Sequence, residues 1–226
     1  MRRIVPLVLG LALLVALLTA FGSAAIGEQV SEWKITITNL TPSGPGPPGS
    51  QPFSPPLFVI HSNRADVWGV GDVATHVVAG IAEDAINAPA ESALAQLPGV
   101  KEVFTGEGGP IPSGESRTYF VRTVGGFDRL TVLTMLVNTN DAFTGTDALQ
   151  VRSRVGALRT MAYDAGSEKN NELMEFIPGP CCGNPFVRDP EGELIRPHPG
   201  ILGVGDLDPD LYGWTEPVAM IVIEPA

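Results

Sequence analysis

Three acidic residues stand in places where oxygen ligands could be gathered. The apolar run Leu130–Val137 (LTVLTMLV) has strand length and many β-branched residues, and it stops abruptly at Asn138-Thr139-Asn140-Asp141-Ala142-Phe143-Thr144-Gly145. Further on comes Tyr163-Asp164-Ala165-Gly166-Ser167-Glu168. Asp141, Asp164 and Glu168 are thus expected in Asn- and Gly-containing loops just past strand-like segments. Calcium takes roughly 6–8 oxygen ligands, and carbonyls in tight turns can add those that carboxylates do not supply. The plain alternative is solvated turn residues, because Asn, Asp and Gly dominate turns for steric reasons alone.

Other chemistries find less. Asp206-Leu207-Asp208-Pro209-Asp210 is spaced like the start of an EF-hand loop, but Leu211 stands where the loop needs Gly and Pro217 where it needs Glu. That leaves a solvated turn or a looser second cation site. The only cysteines, Cys181 and Cys182, are adjacent. They form a strained vicinal disulfide, remain thiols or pair with another chain; no histidines at zinc spacing accompany them. His61, His76 and His198 lie far apart, and neither G-x-S-x-G nor H-E-x-x-H occurs. Gly69-Val70-Gly71 lacks the third glycine and the βαβ context of a dinucleotide loop. A catalytic constellation is therefore absent from the motifs, and the protein is expected not to be an enzyme.

The chain begins Met1-Arg2-Arg3, continues with an uncharged apolar run from Ile4 to about Phe21, and then reads Gly22-Ser23-Ala24-Ala25. Basic, apolar and small-residue regions in that order make a secretory signal, with cleavage expected near Ala25. An uncleaved anchor is the alternative, since the run approaches the length of a span. Residues 26–226 then form one domain, secreted to the extracellular space, or to the periplasm or surface of a bacterium. Loss of Arg2 and Arg3 takes the formal charge from −11 to −13. Such an acidic surface repels nucleic acid and anionic lipid head groups. No membrane span is expected after signal cleavage.

The elements that must position the acids read as strands between long loops. Gly and Pro make up about a fifth of the chain. Trp33–Leu40 alternates apolar and polar residues, as a half-buried strand does. Asn39-Leu40-Thr41 is a glycosylation sequon in a eukaryotic secretory host. A Pro/Gly-rich loop, 42–56, leads to a strand at Leu57–His61. Asp72–Ile86 has apolar residues at helical spacing, with Asp72 as the expected cap, and Pro89–Leu97 is a second short helix. Ser116–Thr123 and Asp128–Asn138 form a hairpin around Val124-Gly125-Gly126-Phe127. Leu149–Val151 and Leu158–Tyr163 bracket the aspartate loops, Asn171–Phe176 makes a helical turn, Pro178–Gly200 is irregular, and Pro217–Ile223 is the closing strand.

Five pieces of sequence, in order from Trp33 to Ile223, resemble the spondin N-terminal domain family. They are ITNLTP with QPFSPPLFVIH, MLVNTNDAFTG, AYDAGSE, IPGP, and HPGILGVGDLDP with EPVAMIVI. The resemblance implies an antiparallel β-sandwich similar to C2 domains, with one or two short helices and one structural calcium ion. By motif match the metal carboxylates are Asp141, Asp164 and Glu168. Two positions depart from the family pattern: Ala142 replaces an aromatic residue, and Glu168 is one methylene longer than the family's Asp. The implied function is adhesion or binding outside the cell, to an extracellular protein or glycan. The rival reading is a calcium-dependent carbohydrate-binding or glycan-processing β-sandwich. Its sugar platforms would have to come from Trp33, Trp68 and Trp214, of which Trp33 is expected in the core.

Overall fold

The computed structural model describes residues 29–44, 49–153 and 156–226. The expected signal segment, residues 1–25, lies outside them, as does part of the Pro/Gly-rich loop. The fold is all-β: two antiparallel sheets face each other and helices cover one outer side. The strands are β1 (Val30–Asn39), β2 (Leu57–His61), β3 (Val100–Thr105), β4 (Ser116–Val124), β5 (Arg129–Met135), β6 (Ala142–Gln150), β7 (Gly156–Thr160), β8 (Tyr163–Asp164), β9 (Arg196–Pro197) and β10 (Ala219–Pro225). The helices are α1 (His76–Asp84), α2 (Asn87–Leu94) and the single turn α3 (Pro209–Tyr212). One sheet has the order β4-β1-β10-β7 and the other β3-β2-β5-β6-β8-β9. Among the described residues no helix is long and apolar enough to cross a membrane.

Alternation in β1 does what its spacing demands. Trp33, Ile35 and Ile37 point inward, opposite Val121 and Tyr119 on β4 and Ile221 and Ile223 on β10. They meet Phe58, Ile60, Leu130 and Val132 of the second sheet to form the main core. The other residues of that second sheet, Leu57, Val59, Leu133 and Phe143, pack under Val77, Val78 and Ile81 of α1 and Ala90 and Leu94 of α2. Strands β2 and β5 are therefore buried on both faces. This accounts for their unbroken apolar runs. A third, small core of Ile177, Ile201 and Leu207 lies under the long connection between β8 and β10, with the two cysteines and Trp214 against it.

Two local expectations are corrected, and one further strand is added. The cap of α1 is Thr75, whose hydroxyl accepts from the Val78 N–H, and not Asp72. Ala142–Gly145, expected in the loop, belong to strand β6, which packs Phe143 beside Trp68. The segment Val100–Thr105, unassigned above, is an edge strand beside β2.

The sequon is also resolved. Asn39 is fully buried, and the amide nitrogen that would carry a glycan donates to the carbonyls of Gln51 and Ile111. Natively folded protein from a eukaryotic secretory host should run at the same mass before and after peptide-N-glycosidase. Asn39→Ala should cost about 2 kcal/mol or more in urea unfolding, since it strands buried carbonyls.

A buried carboxylate cluster as candidate cation site

Asp141 sits in the turn between β5 and β6. The Thr139 hydroxyl accepts from the Ala142 N–H and donates to the Leu136 carbonyl, which closes that turn. The carboxyl of Asp141 is fully buried. Its Oδ2 accepts from the backbone N–H groups of Ser167 and Glu168, both at 2.9 Å, and from the Ser167 hydroxyl at 3.2 Å. Gly166 makes this approach feasible. Its φ is +69°, and a Cβ there would lie 2.6 Å from the Glu193 carbonyl, so the chain can reverse tightly after β8 only with glycine. Among the described residues the Asp141 Oδ1 atom has no hydrogen-bond partner.

Glu168 is also buried. Its Oε1 accepts from the Asp189 N–H at 3.0 Å, while Oε2 has no partner. Arg188, ion-paired with Glu83 and Asp84 at the end of α1, acts on it from one side and Asp141 from the other.

Asp164 is placed differently from the sequence expectation. It lies within β8, paired with Ala142 and Arg196, and not in the following loop. Both its oxygens are engaged. Oδ1 accepts from the Gly166 N–H at 2.7 Å, and Oδ2 from Asn170 Nδ2 at 2.7 Å and Arg196 Nε at 2.9 Å. Asn170 is held in turn by His198, whose Nδ1 accepts from the Gly200 N–H and whose Nε2 therefore carries the proton given to Asn170 Oδ1. Burial holds that imidazole neutral, down to about 4. Both of its nitrogens are occupied, so it serves as a strut.

Electrostatics sharpen the contrast among the three acids. Burial, and next the charge of Asp164, push the Asp141 carboxyl up to about 7. Burial pushes Glu168 up to about 8, with the charges of Glu83 and Asp141 adding to it. Two carboxyls thus each keep one buried oxygen unpaired at a point where an ionised form is costly. Among the described residues no three His, Cys, Asp or Glu side chains gather closely enough to hold a metal ion by themselves. A cation here would use Asp141 Oδ1 and Glu168 Oε2 and fill its remaining positions with carbonyls or water. The donors are all hard oxygens, which suits calcium and offers nothing to a soft metal.

The remaining candidates are structural. Asp206 accepts from the Met174 N–H and Asp208 caps α3 through the Asp210 N–H. Cys181 and Cys182 are joined as a vicinal disulfide. Trp33 and Trp68 are core residues, and Trp214 is half-buried against His198. Sequence reasoning missed Arg196, Asn170 and His198. Arg196 and His198 stand beside and in the HPGILGVGDLDP piece, remote in the chain from Asp164 and Asn170, while Asn170 follows the AYDAGSE piece closely and carries no charge to mark it. Compared with known proteins, the chain matches no family model and no curated sequence.

Proposed function

We propose that the protein is a secreted, non-enzymatic β-sandwich module that binds one structural calcium ion and serves adhesion or binding outside the cell. The observation that carries the metal reading is the pair of unpaired, buried oxygens, Asp141 Oδ1 and Glu168 Oε2. Unpaired buried charge is destabilising by several kcal/mol, and a bound cation removes that cost. Asp164 contributes negative charge beside them, moderated by Arg196. The adhesion role rests on the family resemblance and on the acidic composition. No exposed tryptophan platform supports the carbohydrate reading among the described residues.

The test is calcium titration of the purified protein by calorimetry, with parallel melting curves in EDTA and in calcium. Binding to the native state alone raises stability by roughly 2.7 kcal/mol at a hundredfold excess over Kd. Wild type should show that rise, and Glu168→Gln should lose most of it. Absence of heat and of any melting shift in wild type would remove the calcium reading. Calcium-dependent retention on immobilised matrix proteins, abolished by EDTA, tests the adhesion role.

A further inference from the structure

A second site lies apart from the carboxylates. A half-open cavity of about 540 Å³ sits between the end of β5, the C-terminus of α1, the loop before β4 and the disulfide loop. Small-molecule sites typically measure about 300–1,000 Å³. Six prolines line this one: Pro52, Pro110, Pro112, Pro178, Pro180 and Pro185. Val137 and the fully buried Met135 complete its apolar lining.

The polar character of this lining is one-sided. Proline has a carbonyl and no N–H. Among the described residues, the carbonyls of Pro110, Pro178, Pro180 and Pro185 accept no protein hydrogen bond. The C-terminal residues of α1, Asp84 and Ala85, also line the cavity, and the last turn of that helix has no basic residue. The negative end of a helix favours a cation. Arg188 is the one guanidinium shared by Glu83 and Asp84, so this corner keeps a net negative charge. The loop carrying Pro110 and Pro112 bears the exposed Glu107 and Glu115, while Arg117 is folded back onto the carbonyls of Gly108 and Gly109. The lining is therefore mostly apolar, borders a corner of net negative charge, and contains no side-chain donor among the described residues.

The wall is also fixed in advance. Gly179 lies so close to the turn after β5 that a Cβ would be 2.0 Å from the Val137 carbonyl oxygen. The Cys181 N–H donates to Asn138, and the N–H groups of Cys182 and Gly183 both turn back to the Gly179 carbonyl. A preformed wall reduces the ordering cost of binding.

We infer that this proline-lined cavity is a binding site for a small amphiphilic amine, a free molecule with a compact apolar ring body and one ammonium group. Its body packs on the proline surface and Val137, and its ammonium faces the end of α1. The site has its own lining and shares with the proposed calcium site only the charges of Glu83 and Arg188 at the end of α1.

The probes are 2-naphthylmethylamine, cationic at neutral pH, and 2-naphthylacetate, of similar shape and opposite charge. Binding to the purified protein is followed by calorimetry and by the Met135 methyl resonance. The amine should bind saturably at one site, with the acetate at least about tenfold weaker. Val137→Phe, which adds bulk to the lining, should abolish amine binding. Glu115→Lys, an exposed change, should weaken it severalfold while leaving the melting temperature unchanged, which keeps the test valid if the filled variant does not fold. No saturable amine binding, equal binding of both probes, or amine binding unchanged in Glu115→Lys would each overturn the assignment.

Discussion

In EDTA at pH 8, Asp141→Asn should melt higher than wild type, and in millimolar calcium the order should reverse. The Asp141 carboxyl titrates at about 7 in the fold against an ordinary 3.8. A folded-state value above the unfolded one means that the native state holds the proton more tightly. Stability then falls as pH rises through that window and the full cost is present above it. A displacement of this size corresponds to about 4 kcal/mol at pH 8, to order of magnitude. Asparagine keeps an oxygen for the Ser167 and Glu168 N–H groups and carries no charge. The advantage of the variant should shrink towards pH 5, where the wild-type acid is already protonated. Calcium replaces the proton as the partner of the free oxygen, so the variant loses there what it gained in EDTA. Thermal scans at the two pH values, with and without calcium, give four comparisons. A variant advantage that ignored pH would contradict the buried-charge account, and one that ignored calcium would contradict the metal.

The second large effect belongs to Gly179. Alanine there would put its Cβ 2.0 Å from the Val137 carbonyl oxygen and 2.4 Å from Asn138 Oδ1. The first of these is backbone, in the turn after β5 where the Val137 N–H is held by the Pro52 carbonyl, and it cannot swing away as a side chain could. The disulfide loop has to lift, which breaks the bond from the Cys181 N–H to Asn138. Asn138 is fully buried and also holds Ser50 and Gln51, so the disturbance reaches three loops. Gly179→Ala should cost about 3 kcal/mol or more in urea unfolding. Gly183 is the control. It has φ +71° but open space around it, so alanine there should cost only about 1 kcal/mol. Equal losses in the two variants would mean that the loop does not sit on Val137 as described.

Parts of this molecule are written locally and parts are not. The alternation of Trp33, Ile35 and Ile37 reports one buried face, and the strand is where the pattern puts it. The run from Leu130 reports two buried faces, because helices cover the outside of its sheet. The loop reading failed at Ala142–Gly145 for a physical reason: Thr144 and Gly145 look like turn residues. Gly145 is there because a side chain would strike the Val132 carbonyl, and Thr144 bonds Thr160 across the strands. At the carboxylates, residue type and rough neighbourhood were legible, since Asp141 and Glu168 do become buried neighbours. The state of Asp164 was not. Its guanidinium partner lies 32 residues on, beyond any local pattern.

The pairing of β1 with β10 has a spatial consequence. Trp33 lies opposite Pro225, and the Ala226 N–H donates to the Glu32 carbonyl, so both ends of the described domain emerge side by side. The far end of β1 is tied through Asn39 and Gln51 to Asn138, three residues from Asp141. Ten residues of strand separate the two ends of β1, a span of roughly 30 Å. Whatever holds the chain by either flank, a tether or a neighbouring domain, therefore grips the base of the sandwich. The carboxylates and the proline cavity are carried at the tip, facing away from the point of attachment.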